Sequence, residues 1–320
     1  MRVTVLGSGR WGTFQAWYAA RCGHDVVLWG RPESKDMLLL KQNRVNSYLE
    51  LPKDVHLTTD LTEAISHGEL LNISISAQAL RMFCVSLSTF DLSQKALLLC
   101  MKGLEQETGK RLTQVVQENF RYPLKIAVLV GPGHVQSYIE GVPGAMVVDS
   151  EDNSLKADVV ETLSSELIRL YLGDDLIGTE IGAAAKNVIG LAAGMLDGYG
   201  YTSLKGALIA RGAREVARLI KAMGGSELSA YGLSHLGDYE ATLFSPYSQN
   251  RMFGETFVRK EVYSKLAEGV YTVNAMMQLA KTVDVDLPIS SAVQRILYNQ
   301  ADPKHELTNL FLRSVKSEFV

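Results

Sequence analysis

The sequence predicts an α/β chain in which a doubly wound, mostly parallel sheet comes first and an all-helical domain follows. Three observations predict it. Short apolar runs alternate with helical stretches through the first half, a glycine-rich turn directly follows the first run, and the strand-like runs stop after about Gly178. The expected division is 1–178 and 179–320, a change of architecture with no low-complexity linker.

Each element has its own reason. The runs 2–7, 25–30, 70–76, 95–101, 125–131 and 144–150 are apolar almost continuously, with 167–173 as a last strand. A parallel sheet covered on both faces requires that pattern, whereas a half-exposed strand alternates. Helical patterns lie between them, for example at 11–22, 61–67, 78–88 and 108–119. Beyond the boundary the reading is helix after helix: 179–198, 203–223, shorter helices near 226–256, then 260–282 and 288–300. Pro288 sits where a first helical turn tolerates proline.

Composition excludes several classes of function. Hydrophobic residues make up 47%, charged residues 21%, and the formal net charge is −3. That leaves no electrostatic footprint for nucleic acid or an anionic membrane. No apolar run is long and charge-free enough to span a bilayer. A strand entered at Arg2 implies that no leader precedes the fold. Cys22, Cys84 and Cys100 are scattered, and the six histidines lack ligand spacing, so no metal site is expected. Buried thiols of this kind suit a reducing cytoplasm. Oligomeric state stays open, a homodimer included.

The first turn, VTVLGSGRWG, sets Gly7, Gly9 and Gly12 after a strand and at the head of a helix. In a βαβ unit this is the Rossmann fingerprint: a tight turn, a backbone that approaches a pyrophosphate, and close strand–helix packing. The helix N-terminus then offers free N–H groups to the anion. NAD-specific sites carry an acidic residue at the end of the second strand. Here the stretch reads LWGRPESK, and Arg31 stands nineteen residues beyond Gly12. An arginine suits a 2′-phosphate, so NADP(H) is preferred with NAD(H) possible; the bland alternative is a solvated loop arginine.

The helix TEIGAAAKNVIGLAAGMLDG poses the sharpest question. Between Ile181 and Leu196 its one charge is Lys186, on a face shared with Gly182, Gly190 and Gly194. One reading is a lysine snorkelling to solvent. The other is a catalytic base in a groove that small residues leave open. Lys102 lies just past a strand's carboxyl end, where open α/β sheets bind ligands. Gly131 and Gly133 end another strand. Asp238 and the polar turn Ser248, Gln249, Asn250, Arg251 complete a setting for an anionic substrate.

These motifs, in this order, resemble the NAD(P)-dependent sn-glycerol-3-phosphate dehydrogenase family, bacterial branch. GSGRWG resembles its GxGxWG turn, NSYL its N-x-YL segment, and KGLEQETG its (S/T)KG(L/I)E motif. EIGAAAKNVIGLAAGMLDG resembles the helix with its catalytic Lys-Asn pair. ALIARGAREVARL, LGD, SQNRMFG and LAEGVYT resemble its AL(I)TRG, LGDL, SRNRxxG and VEGxxT stretches. The resemblance implies NADPH-dependent reduction of dihydroxyacetone phosphate to sn-glycerol 3-phosphate, feeding phospholipid synthesis. It implies Lys186 as proton donor and acceptor and as a substrate contact. Lys102 would touch both substrate and cofactor. Gly131, Gly133, Asp238, Ser248, Gln249 and Asn250 would line the substrate pocket. Gly7, Ser8, Gly9, Arg10, Trp11, Gly12, Arg31, Tyr48, Val135, Gln249 and Glu268 would contact the dinucleotide.

The departures from the family pattern all fall on the substrate side. Gln249 replaces an arginine, Gly133 replaces a Ser/Thr hydroxyl in a GPSFA-type turn, SAQ at 76–78 replaces a VPS-type turn, and the segment 198–208 is shortened by one residue and lacks an asparagine. Two alternatives therefore stand beside the leading expectation. One is a related NADP-dependent dehydrogenase for another small phosphorylated or carboxylated hydroxy compound. The other is a cofactor-sensing protein without turnover. A lysine base would need burial to lower its pKa, a neighbouring carboxylate would raise it, and sequence does not decide between them.

Overall fold

The computed structural model describes residues 1–314 together with Ser317 and Glu318. The chain divides into two compact units. One comprises 1–101 with 112–176; the other comprises 102–111 and the chain from Ile177 on. The short excursion 102–111 lies with the helical unit, which a single boundary near 178 does not foresee.

The first unit runs β1 (Arg2–Leu6), α1 (Arg10–Arg21), β2 (Asp25–Trp29), α2 (Lys35–Asn43), β3 (His56–Thr58), α3 (Leu61–His67), β4 (Leu70–Ile73), α4 (Leu80–Leu87), β5 (Ala96–Leu99), α5 (Leu112–Glu118), β6 (Lys125–Val130), α6 (Val135–Ile139), β7 (Gly144–Asp149), α7 (Asn153–Leu163) and β8 (Ile168–Leu172). The strands form one sheet in the order β3-β2-β1-β4-β5-β6-β7-β8. The order reverses at β1, which is where doubly wound sheets bind ligands at the strands' carboxyl ends.

Both faces of this sheet are covered, as the continuous apolar runs require. Val3, Val5, Val26, Leu28, Leu98 and Leu129 join one core with Phe14 and Tyr18 of α1. Their chain neighbours Leu6, Val27, Trp29, Leu97, Leu99 and Val128 join the other, under α3, α4 and α5. Successive strand residues point to opposite faces, so each run feeds both cores.

One strand departs from expectation. β7 pairs antiparallel to β6, although its run reads as one more parallel strand. The reason is the connection. A parallel neighbour needs a crossover helix that returns the length of the strand. α6 has five residues, or about 7.5 Å at 1.5 Å per residue, against about 20 Å for the six residues of β6. The chain re-enters from the same end and runs back. α7, with eleven residues, restores a parallel β7–β8 pair.

The second unit is helical: α8 (Leu176–Gly198), α9 (Lys205–Ala222), α10 (Gln249–Val258), α11 (Glu268–Thr282), α12 (Pro288–Tyr298) and α13 (Pro303–Asn309). α8 is its axis, buried from Gly178 to Leu196. Between α9 and α10 come 3-10 turns at Glu227–Tyr231 and Leu236–Asp238 and a π-helical turn at Glu240–Phe244. The helix expected from 260 starts only at Glu268. Lys260 takes a left-handed conformation with φ of 59° just after α10 ends, and the chain runs irregularly to the cap at Ala267. Among the described residues no helix is long and apolar enough to cross a membrane.

Candidate active site

The glycine-rich turn has the geometry its sequence implies. Gly7 has φ of 125°, and a Cβ there would stand 2.3 Å from the Ser74 carbonyl oxygen. A Cβ on Gly12 would meet the Gly7 carbonyl oxygen at 1.9 Å, so strand and helix touch through bare backbone. Gly9 caps α1 and has nothing within 4 Å of its would-be Cβ, which leaves that side open to a ligand. A pyrophosphate at a helix N-terminus fits such a cradle.

The other expected dinucleotide residues are placed around this turn to different degrees. Asn46 donates to Thr13 Oγ1 on α1 at 3.0 Å and accepts from the Tyr48 amide at 2.9 Å, which brings Tyr48 to the turn's helix. Arg10 donates to Gln136 at 2.7 Å, tying α1 to α6, whose first residue is the buried Val135. Trp11 packs on Phe14. The Ser8 hydroxyl lies 3.1 Å from that of Ser34, the N-cap of α2. Arg31, on the same loop, is exposed and pairs with Glu33 at 3.4 Å. Its guanidinium is therefore available to an anion but shared with a local carboxylate. Gly131 and Gly133 both have positive φ. A Cβ on Gly133 would fall 2.3 Å from the Tyr138 hydroxyl, so glycine stands there because the tyrosine ring fills the space.

In the helical unit three charged side chains converge. Lys102 Nζ and Lys186 Nζ each lie 2.7 Å from the same Asp238 oxygen, Oδ2. Lys186 also donates to Thr242 Oγ1 at 2.8 Å. Lys186 is 7% exposed and Asp238 1%. The snorkelling reading fails, because the ammonium ends in a buried ion pair. The open-groove reading is only partly right, because neighbouring backbone and side chains fill the glycine face. A Cβ on Gly194 would meet the Arg251 carbonyl oxygen at 1.9 Å, and one on Gly190 would meet Thr242 Cγ2 at 2.8 Å. The small residues let α10 and the Asp238–Thr242 segment close onto α8, and that approach places carboxylate and hydroxyl at the lysine.

Burial is the largest influence on Lys186, and with help from the Lys102 charge it overcomes the opposing pull of Asp238. The amine sits at about 8 instead of its ordinary 10.5. A group poised there can both give and take a proton near neutrality.

The segment carrying Lys102 is held to α8 at two points. Asn187 Nδ2 donates to the Lys102 carbonyl at 3.1 Å, and Arg111 donates to Glu180 at 2.6 Å. The polar turn is ordered as well. Ser248 caps α10. Asn250 donates to Asn187 Oδ1 at 2.9 Å and accepts from the Gly269 amide at 2.9 Å, next to Glu268, the first residue of α11. Gln249 accepts from the Tyr263 hydroxyl at 2.6 Å and donates to the Tyr247 carbonyl at 3.1 Å. Arg251, which stood as a candidate cation for substrate, is committed elsewhere. It pairs with Asp197 at 3.0 Å and Glu255 at 2.8 Å and bonds the Ser245 carbonyl.

Sequence reasoning missed Thr242, Asn187 as a bridge, Ser34 and Asn46. Thr242 carried a signal, since it stands four residues past Asp238 and such positions share a helical face. Asn46 and Asn187 lie inside quoted motifs, but their bonds to Thr13 and Lys102, like the approach of Ser34 to Ser8, join residues distant in sequence that no local pattern marks.

Comparison with known proteins adds independent findings. Residues 2–156 match the family model for the NAD-dependent glycerol-3-phosphate dehydrogenase N-terminus, and 175–308 match that for its C-terminus. The chain is 36% identical to glycerol-3-phosphate dehydrogenase [NAD(P)+] of Thermotoga sp. (strain RQ2), over 100% of this chain and 99% of the relative. It is 35% identical to the enzyme of the same name from Pelodictyon phaeoclathratiforme, over 99% of both. Among solved structures it is similar to glycerol-3-phosphate dehydrogenase from Coxiella burnetii, with a TM-score of 0.90 and 27% identity over 97% of this chain and 98% of that one.

Proposed function

Since the chain belongs to the NAD-dependent glycerol-3-phosphate dehydrogenase family, we propose that it reduces dihydroxyacetone phosphate to sn-glycerol 3-phosphate, with NADPH preferred and NADH accepted. The observation that carries this reading is the cluster of Lys186, Lys102, Asp238 and Thr242, with the Lys186 amine near neutrality. The product is the backbone that glycerophospholipid synthesis consumes, and the enzyme works in the cytoplasm.

The residues present fit a dinucleotide. Gly7, Gly9 and Gly12 would cradle its pyrophosphate, with Ser8, Arg10, Trp11, Tyr48 and Val135 around it. Arg31 would meet the 2′-phosphate. When bound, the reduced nicotinamide supplies the hydride.

The protein's own part is the proton. An ammonium has three donors. Asp238 and Thr242 take two from Lys186, which leaves the third for the carbonyl oxygen of the substrate. As negative charge develops on that oxygen, Lys186 gives its proton and becomes the amine. The same amine takes the proton back when the alcohol is oxidised. Asp238 anchors the ammonium, and the Lys102 charge, sharing its carboxylate, eases proton release. Lys102 and the side-chain amides of Asn250 and Gln249 would hold the phosphate, with Ser248 beside them.

The test is direct. Purified protein should oxidise NADPH when dihydroxyacetone phosphate is added, and the loss of absorbance should match the glycerol 3-phosphate formed. Tight NADPH binding without turnover would refute the reading. Gln249 and Gly133 favour one second reading, a different small phosphorylated or carboxylated ketone, which a panel of such compounds would reveal.

A further inference from the structure

Three residues before Asp238 stands a fully buried imidazole, His235, 0% exposed. Its Nδ1 lies 2.9 Å from the Gly182 carbonyl and its Nε2 lies 2.6 Å from the Tyr239 hydroxyl. A carbonyl can only accept, so Nδ1 carries the hydrogen and Nε2 accepts from the tyrosine. Burial is the main cause that holds the imidazole down at about 4, so it is neutral at working pH. The nearby Lys186 and Asp238 charges pull on it in opposite directions.

The partners define what this arrangement does. Gly182 is one turn before Lys186 on α8, and its carbonyl is the helical acceptor of the Lys186 amide. A glycine eases the approach, since a Cβ on Gly182 would stand 3.0 Å from His235 Cβ, a tight contact. Tyr239 follows Asp238 directly, and its ring meets the imidazole edge-on with centroids 4.8 Å apart. On its other side the Tyr239 hydroxyl packs on α9, where a Cβ on Gly212 would lie 3.2 Å away. The Asp238 amide donates to the His235 carbonyl at 3.0 Å, closing the 3-10 turn between the two rings. A leucine at 239, as in the LGDL motif, has no hydroxyl for this bond.

We propose that His235 and Tyr239 are a positioning pair that clamps the Asp238 carboxylate against Lys186, by fastening the turn that carries it to the α8 carbonyl one turn before the lysine. Neither ring exchanges a proton with substrate. The pair rests on the functional reading above for what Lys186 does, but not for the clamp itself. The charged groups facing it are Lys186 on α8, Asp238 on the turn and Glu215 on α9. Lys102 reaches the same carboxylate.

The consequence is specific. Asp238 raises the Lys186 pKa, so a loosened carboxylate lets it fall further. Tyr239→Phe removes the hydroxyl and keeps the ring. His235→Phe removes both bonds, and His235→Asn keeps a donor for the Gly182 carbonyl. Two measurements apply to each variant and to the wild type: the pH profile of kcat for NADPH-linked reduction, and the titration midpoint of Lys186 by NMR of isotopically labelled lysine. In Tyr239→Phe and His235→Phe the falling limb of kcat and the NMR midpoint should both move to lower pH. The value of kcat should drop about tenfold, or about 1.4 kcal/mol, with KM for NADPH unchanged and partial recovery in His235→Asn. A folded variant with wild-type midpoint and kcat, or one that merely melts earlier, would overturn the clamp. If His235→Phe does not fold, Tyr239→Phe decides by the same criteria. A wild type inactive on dihydroxyacetone phosphate would count against the functional reading alone, because the NMR midpoints still decide the clamp.

Discussion

Lys186 stands on a helix face with almost no other side chains, and the backbones that close onto that face bring it a carboxylate and a hydroxyl. In the proposed mechanism its ammonium is the proton donor for reduction, and the amine sits at about 8. Reduction needs the protonated form, so kcat for ketone reduction should hold below that pH and fall as pH rises through it. Alcohol oxidation needs the free amine and should rise over the same range. A reduction profile flat from neutrality to well above that point would mean another group donates. Lys186→Ala should lose at least ~100-fold in kcat, the usual scale of general acid–base help. Its NADPH affinity by calorimetry should stay close to wild type. Gln249 is the informative position for the phosphate, since Arg251 is held by Asp197 and Glu255. A neutral amide binds phosphate more weakly than a guanidinium, so Gln249→Arg should lower KM for dihydroxyacetone phosphate and leave kcat nearly unchanged, as added uniform binding does. An unchanged or blocked reaction would point to a different substrate.

At the scale of elements, α8 shows why the glycines matter. Gly194→Ala would press a methyl against the Arg251 carbonyl, where backbone, not a flexible side chain, must move. Overpacking of this kind costs about 1–3 kcal/mol, to be read as a lowered midpoint in urea. It should also disturb α10 and Asn250, and so raise KM more than Gly9→Ala disturbs folding, because Gly9 faces open space. The sequence made α8, the first turn and most of the strands legible, since these depend on local pattern: continuous apolar runs, a glycine spacing, a long buried helix. It did not show β3, three residues at a sheet edge, nor the antiparallel β7, which follows from the length of a connection. It did not show the π-helical turn that aims Thr242 or the transfer of 102–111 to the helical unit. Those features are set by contacts between distant segments. Lys102, Lys186 and Asp238 were legible one by one; Thr242 beside them and the convergence of both lysines on one oxygen of Asp238 were not.

At the scale of the whole molecule, the dinucleotide turn belongs to one unit and the lysine–carboxylate cluster to the other. A ligand that binds the folded chain stabilises it by mass action, by about 2.7 kcal/mol at a hundred times its Kd. NADPH should therefore raise the melting temperature of wild type and Lys186→Ala alike, since the lysine is no part of the turn. Arg31 gives the discriminating case. Its guanidinium is exposed and pairs with Glu33 at 3.4 Å, and an exposed pair of this kind is weak enough for a phosphate to compete with it. Arg31→Asp should cost NADPH binding about 1–3 kcal/mol, the scale of hydrogen bonds to a charged group, and should cost NADH much less. Thermal shifts with each cofactor would separate the outcomes. A preserved NADH shift beside a shrunken NADPH shift assigns the 2′-phosphate to Arg31. Equal losses would mean that the substitution disturbs the turn after β2, and that another residue, with Ser34 beside Ser8 the nearest candidate, reads the ribose.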